Sequence, residues 1–171
     1  MLKTYNNNFG HLYRQLGFTL IELLVTVAIT LVLLSGAIAF FLDYLDQRNV
    51  NDAVDELKTI FQRASSEANA GNLNGCEQLN GYKVTSAQSG NVTTLFLQAD
   101  CVTGTANSAT EYQLAEGVVI SPNLDVTFRV LHAGVDLPGG VASQEITVTN
   151  DSHSYAFTLY REGRFSPGGW L

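Results

Sequence analysis

A single carboxylate stands inside a long apolar stretch near the start of the chain. Residues 17–42 read GFTLIELLVTVAITLVLLSGAIAFFL, and Glu22 is the only charged residue among them. As a helix, the segment from Phe18 to Leu42 would extend about 37 Å, which is enough to cross the hydrocarbon core of a bilayer. An ionised glutamate in such a segment is costly, so we expect Glu22 to have a function and a positively charged partner.

The residues around Glu22 form a known pattern. The stretch Gly17-Phe18-Thr19-Leu20-Ile21-Glu22 resembles the processing site of type IV prepilins and of the pseudopilins of type II secretion. The resemblance implies that a membrane aspartic peptidase, the prepilin peptidase, cuts after Gly17 and methylates the new amine of Phe18. It also implies that Glu22 pairs with the amino-terminal amine of a neighbouring subunit when the helix enters a filament.

The charges that flank the apolar stretch predict its orientation. Lys3 and Arg14 precede it without any acidic residue, and Asp43 and Asp46 follow it. Because basic residues stay on the cytoplasmic side, residues 1–17 are expected to be a cytoplasmic leader. The remainder of the chain is then expected to lie outside the cytoplasmic (inner) membrane, anchored by a single pass and later carried into a pilus or pseudopilus filament.

Three other interpretations of the apolar stretch remain open. Ala37-Ile38-Ala39 offers a small-x-small cleavage site, as in an ordinary secretory signal, although the apolar run before it is longer than such signals have. A plain single-pass anchor needs no glutamate next to Gly17. A buried core helix would need a much larger soluble protein around it.

The pattern beyond Leu42 predicts an α+β fold of the pilin kind, with a long helix packed on an antiparallel β-sheet. Apolar residues at mostly three- and four-residue steps predict an amphipathic continuation over residues 43–70, with Gly71-Asn72 as its end. The expected organisation is thus a leader (1–17), a transmembrane half-helix (18–42), an amphipathic half-helix (43–70) and an extracytoplasmic β domain (71–171). The predicted helix stripe consists of Tyr44, Leu45, Val50, Val54, Leu57, Phe61, Ala64 and Ala68.

The β domain is predicted from apolar residues that alternate with polar ones. Such runs occur around residues 95–99, 126–130, 146–149 and 155–159, and period-two spacing is typical of half-buried antiparallel strands. Asn150-Asp151-Ser152 lies between the last two runs and predicts a hairpin turn. The order of these strands and glycines, through Gly163-Arg164, resembles the H-type minor pseudopilins of type II secretion and the FimT-like minor pilins.

Cys76 and Cys101 are the only cysteines of the chain. In an exported domain they are expected to form one disulfide, which by the chain-entropy model would add about 3–4 kcal/mol; two buried free thiols are the alternative. His132 and His153 lie far from both cysteines in sequence and no CxxC occurs, so neither a metal site nor any cofactor is predicted.

Charge and motifs favour a structural role over catalysis. The formal net charge is −7 and would become −9 once Lys3 and Arg14 leave with the leader, which disfavours general binding to nucleic-acid phosphates. No nucleophile pattern surrounds the histidines, and no glycine-rich loop has the strand–helix context that phosphate binding needs, so no enzyme is predicted. The expected function is a minor pilin or minor pseudopilin, whose partners are other subunits, prepilin peptidase and the inner-membrane assembly platform.

One carboxy-terminal segment, YREGRFSPGGWL, supports an alternative function. Interleaved basic and aromatic residues can hold a nucleic-acid strand by phosphate contact and stacking. Some FimT-like minor pilins bind DNA during uptake through arginines in a glycine-arginine segment, and Gly163-Arg164 resembles part of it. Arg161 and Arg164 are therefore the candidates for DNA contact, although Phe165-Ser166 stands where a second close arginine would follow. The competing interpretation is a last strand that packs Phe165 and Trp170 on the sheet edge.

Overall fold

A computed structural model describes residues 18–132 and 134–171. The predicted leader, including Gly17, therefore lies outside the described residues. The described chain separates into two compact units, which we call the amino-terminal unit (residues 18–40) and the sheet unit (residues 41–171).

One long helix, α1, runs over Leu20–Ala70. No proline interrupts these residues, so every backbone N–H beyond the first turn can donate to a carbonyl. The helix ends at Gly71, which adopts the left-handed conformation at φ 65°. The N–H of Gly71 donates to the carbonyl of Ala68, and that of Asn72 to the carbonyl of Glu67, each at 3.2 Å. This pair of bonds is a Schellman motif, and glycine supplies the left-handed residue without steric cost.

Within the sheet unit, one face of α1 is buried against β-sheets. The predicted stripe differs from the structure at its start, because Tyr44 is 59% exposed and burial becomes complete only at Val50. Leu45, one residue later, is half-buried. The buried residues of α1 are Val50, Ala53, Val54, Leu57, Ile60, Phe61, Ala64 and Ala68.

Nine strands follow the helix within the described residues. They are β1 (Cys76–Ser89), β2 (Val92–Gly104), β3 (Thr110–Gln113), β4 (Val119–Ser121), β5 (Asp125–Arg129), β6 (Val135–Asp136), β7 (Ser143–Thr149), β8 (Ser154–Tyr160) and β9 (Gly169–Trp170). Two short 3₁₀ turns, Val130–His132 and Pro138–Gly140, lie on either side of β6. Val130, predicted to continue a strand, thus begins a turn instead.

The strands form two antiparallel sheets rather than the single sheet that the sequence predicted. The first has the order β3-β2-β1-β5-β6 and the second the order β4-β7-β8-β9. The predicted hairpin at Asn150-Asp151-Ser152 joins β7 to β8, with Thr149 opposite Ser154. Asn150 shapes this turn, since its Oδ1 accepts the N–H groups of Ser152 and His153 at 3.1 and 2.8 Å. The α+β class, a long helix packed on antiparallel β-structure, is confirmed.

A buried hydrogen bond joins the two sheets, and a shared apolar core packs both of them with the helix. The buried hydroxyl of Thr93 in β2 donates to the carbonyl of Val118 at 2.7 Å, just before β4 of the other sheet. Within the first sheet, the N–H of Leu124, just before β5, donates to the hydroxyl of Ser86 in β1 at 2.8 Å. Leu95, Val126, Ile146 and Leu159, from both sheets, are all fully or nearly fully buried, so the core is shared between the helix and the two sheets.

Candidate processing and assembly site

The start of α1 is fixed by Thr19. Its Oγ1 accepts the backbone N–H of Glu22 at 3.3 Å, and its carbonyl accepts the N–H of Leu23 at 3.2 Å. Thr19 is therefore the N-cap residue, the position where threonine satisfies an otherwise unpaired helix donor. Phe18 precedes the cap and lies outside the helix.

Glu22 occupies the first turn of the helix. A carboxylate is favoured there because the amino-terminal end of a helix carries partial positive charge. Among residues 18–132 and 134–171, none hydrogen-bonds or pairs with the Glu22 carboxylate. The carboxylate is thus an exposed acceptor, placed four residues after Phe18 and five after Gly17; Gly17 itself is outside the described residues.

The rest of the apolar segment (residues 18–42) conceals its polar groups. The hydroxyls of Thr26, Thr30 and Ser35 donate to the carbonyls of Leu23, Val27 and Val32 respectively, each at 2.8 Å. Hydroxyls that bond back to their own helix present little polarity to an apolar surrounding. Glu22 is consequently the one ionisable side chain on this surface.

The apolar segment is exposed throughout. All residues from Phe18 to Tyr44 are exposed, including large side chains such as Leu33 and Phe40. Among the described residues, α1 is the single helix long and apolar enough to cross a membrane by length and composition. An exposed apolar surface of this extent marks contact with lipid or with other protein.

The two cysteines form the predicted disulfide. Cys76, at the start of β1, is bonded to Cys101 in β2, with 25 residues of sequence separation and 5.3 Å between their Cα atoms. Cys76 is buried, close to the point where the chain leaves α1. The bridge therefore ties the longest hairpin of the sheet unit together just beyond the end of the helix.

The structure does not gather the basic and aromatic residues of the carboxy-terminal segment into one patch. The Arg164 guanidinium lies 3.8 Å from the centre of the Tyr160 ring and pairs with Glu162 at 3.7 Å. Phe165 instead stacks on Phe61 of α1, with 5.8 Å between ring centres. Arg161 is exposed, and its backbone N–H donates to the carbonyl of Ala142.

Trp170 belongs to β9, at the other end of β8. It pairs opposite Tyr155 and meets that ring edge-on at 5.3 Å. Tyr155 and Tyr160 are five residues apart in β8, or about 17 Å along a strand. Trp170 thus packs at the sheet edge, as the competing interpretation of this segment expected, whereas Phe165 packs on α1.

Two titratable groups of the sheet unit have raised pKa values, and the structure explains both. Burial of the phenol raises the pKa of Tyr82, the Glu67 carboxylate raises it further, and Arg63 partly offsets the rise; the hydroxyl donates to the carbonyl of Asn72 at 3.0 Å. The pKa of Arg129 is raised by its hydrogen bond to the Asp136 carboxylate and by that charge, the Nε–Oδ2 distance being 2.6 Å.

Neither perturbed group lies near Glu22 in sequence, and the described part of the chain contains no cluster of three or more His, Cys, Asp or Glu side chains able to hold a metal ion. His153 contacts Asp43 at 3.6 Å and Trp170 edge-on, whereas the side chain of His132 lies outside the described set.

The sequence singles out Glu22 by its charge, whereas the role of Thr19 as the helix cap emerges from the structure. The signal was present, because Thr19-Leu20-Ile21-Glu22 has the S/T-x-x-E spacing of a capping box immediately before an apolar run. The same residues also belong to the processing pattern, which does not by itself indicate a cap.

Comparison with known proteins gives one match. The family model described as the prokaryotic N-terminal methylation motif matches residues 12–38. No curated protein matches the chain, and no solved structure does. The matched residues contain Gly17, Phe18, Thr19 and Glu22, so the chain carries a prokaryotic N-terminal methylation motif of the type IV prepilin kind, which supports a type IV pilin-like or pseudopilin-like subunit.

Proposed function

We propose that this chain is a structural subunit, a minor pilin or minor pseudopilin, of a type IV pilus or a type II secretion pseudopilus. The observation that carries the proposal is the methylation motif at residues 12–38, in which Glu22 is the single ionisable group on an exposed apolar helix surface. Proteins with this motif are structural, and the proposal assigns no enzymatic activity.

The proposed life cycle begins in the cytoplasmic membrane. Residues 1–17 are the leader, residues 18–42 cross the membrane once, and residues 43–70 and 71–171 form the extracytoplasmic helix and β domain. Prepilin peptidase cuts after Gly17 and methylates Phe18. The inner-membrane assembly platform then transfers the subunit into a filament beside other pilin or pseudopilin subunits.

Processing and assembly are chemically linked in this scheme. Residues 18–42 contain no lysine or arginine, so the segment itself offers no cation to Glu22. Cleavage after Gly17 creates one, the amine of Phe18, which a neighbouring subunit can present. In an apolar helix bundle an unpaired carboxylate would be neutralised by a raised pKa, whereas a paired one stays ionised. Cleavage therefore supplies the charge that assembly uses.

The test replaces the carboxylate without changing its size. Glu22→Gln keeps the shape and hydrogen bonding of the side chain, and Glu22→Leu makes the segment more apolar. Both variants are expected to be processed and to remain in the membrane, because neither change touches the cleavage point. Both are expected to enter filaments poorly, by on the order of tenfold, since that factor needs a loss of only ~1.4 kcal/mol per subunit.

The measurement is the amount of this subunit in sheared filaments relative to the membrane pool, for wild type and both variants. If all three proteins partition equally between filaments and membrane, Glu22 has no role in assembly.

DNA binding during uptake is the alternative function. The observation in its favour is Arg161, which is exposed and has no side-chain partner among the described residues. The observation against it is that Arg164 is already paired with Glu162, in a chain of net charge −7. A DNA-binding assay at several salt concentrations separates the two functions, because phosphate contacts weaken steeply with salt.

A further inference from the structure

The hydrogen bond between Thr19 and Glu22 forms one half of a capping box. In the complete box, the N-cap hydroxyl accepts the N–H of the third helical residue, and the side chain of that residue accepts the N–H of the N-cap. Here the Thr19 Oγ1 accepts the Glu22 N–H at 3.3 Å. The reciprocal bond from the Thr19 N–H to the Glu22 carboxylate is not formed among the described residues.

This half-formed box determines what Glu22 can do. Because Thr19 ends the non-helical chain, α1 begins at Leu20 and Glu22 is its third residue. The backbone of Glu22 is satisfied by Thr19, while its carboxylate is left for another partner. Phe18 lies outside the helix, so its amine after cleavage would not be confined to a helical turn.

We propose that Thr19 is a positioning residue for assembly: its cap holds Glu22 in the first turn of α1 with the carboxylate free to bind a cation on a neighbouring subunit. The inference rests on the proposed function, and it adds a residue whose role is exerted through Glu22 rather than by contact with the partner. Without the cap, the Glu22 N–H loses its acceptor and the first turn frays. The carboxylate is then presented from a mobile turn.

The other hydroxyls of the apolar segment provide a matched control. The Thr30 hydroxyl donates to the carbonyl of Val27, a carbonyl already used by the helix. Removing that hydroxyl leaves no backbone group without a partner, whereas removing the Thr19 hydroxyl does. The same Thr→Val change, nearly equal in shape, therefore has different consequences at the two positions.

The experiment uses the full chain in its host membrane, with variants Thr19→Val, Thr19→Ser, Thr30→Val and Glu22→Gln. Entry into sheared filaments is measured per processed subunit, so that any change in cleavage is removed from the ratio. We expect Thr19→Val to enter several-fold less than wild type, and Thr19→Ser and Thr30→Val to enter normally, because serine also caps helices. Equal entry of Thr19→Val and wild type, or failure of Thr19→Ser to restore entry, would overturn the positioning role.

A second measurement tests the cap directly. Amide hydrogen exchange of Glu22, recorded on the membrane-extracted chain in detergent micelles, is expected to be about fivefold faster in Thr19→Val than in wild type, as a lost N-cap predicts. In Glu22→Gln it should stay slow, since the backbone N–H of residue 22 still donates to the Thr19 hydroxyl. An unchanged exchange rate in Thr19→Val would show that no cap forms.

Different results would contradict the proposed function and the proposed role of Thr19. If wild type does not enter filaments at all, the proposed function is wrong. If wild type enters, Glu22→Gln does not, and Thr19→Val enters like wild type, then only the role of Thr19 is wrong.

Discussion

The two parts of α1 differ in the interactions that their side chains make. From residue 18 to residue 42 every residue is exposed and most are apolar. Few of them carry a polar group that could distinguish one position from another. From residue 50 to residue 68 the helix alternates buried and exposed residues, and its apolar side chains are fixed by contacts with two sheets. The first part depends on local chemistry at its start, whereas the second depends on packing with distant strands.

This difference explains why the parts tolerate different changes. An exposed apolar residue in a lipid-facing or subunit-facing segment can be exchanged for another without leaving a cavity in the sheet unit. A buried residue of the second part cannot, because protein interiors are close-packed and relax only partly. The proposed function thus depends on the segment that packing constrains least.

The largest expected effect comes from Phe61. It is completely buried, 5.5 Å from the ring of Phe128 and 5.8 Å from that of Phe165. Phe61→Ala is expected to lower the free energy of unfolding of the sheet unit by about 3–5 kcal/mol, because it removes a large side chain from a packed core. Denaturant unfolding of the full chain in detergent micelles, followed by near-ultraviolet circular dichroism, measures it.

Leu33→Ala is the matched control in the exposed part. Leu33 is 68% exposed, so this change should leave the same unfolding transition within about 0.5 kcal/mol. Similar losses in Leu33→Ala and Phe61→Ala would mean that the contrast between the two parts of the helix is wrong.

A smaller effect is expected at Tyr82, where β1 contacts the residues that follow the end of α1. Tyr82→Phe removes the hydrogen bond to the Asn72 carbonyl and should cost about 1 kcal/mol near neutral pH. Because the folded pKa of Tyr82 is raised above 10.0, the folded state holds the phenolic proton more tightly. That stabilisation is complete below pH 10.0 and is lost as the pH rises through the folded pKa.

The pH dependence provides the check. Unfolding midpoints of wild type and Tyr82→Phe are compared near neutral pH and above pH 10.0, and the difference between the two proteins should shrink at the higher pH. A difference that stays constant or grows would contradict the assignment of the raised pKa to the folded state.

The sequence predicted those parts of the fold that follow from local periodicity. β7 and β8 alternate cleanly, and the turn between them carries its own Asn-Asp-Ser signal. β1 escaped detection because its ladder with β2 is irregular: Leu79 pairs with Cys101, but Gly81 already pairs with Asp100. Because of the extra residue, the side chains buried after Leu79 are those of Tyr82 and Val84. The spacing of buried residues is therefore not a regular two.

Two sheets instead of one could not have been deduced from alternation alone. Alternation tells which face of a strand is buried and not which strands share hydrogen bonds. Which strands pair, and how the two sheets meet, depends on contacts between residues far apart in sequence, such as the bond of Thr93 with Val118. At the candidate site, by contrast, Glu22 and its apolar surroundings are neighbours in sequence, so the sequence alone was enough to propose the site.

The amino terminus of the mature chain tests the central claim most directly. Intact-mass analysis and amino-terminal sequencing of protein extracted from membranes of the native host should give a chain that begins at methylated Phe18. A chain that begins at Phe40, after Ala37-Ile38-Ala39, or one that retains its leader through Gly17, would contradict the account.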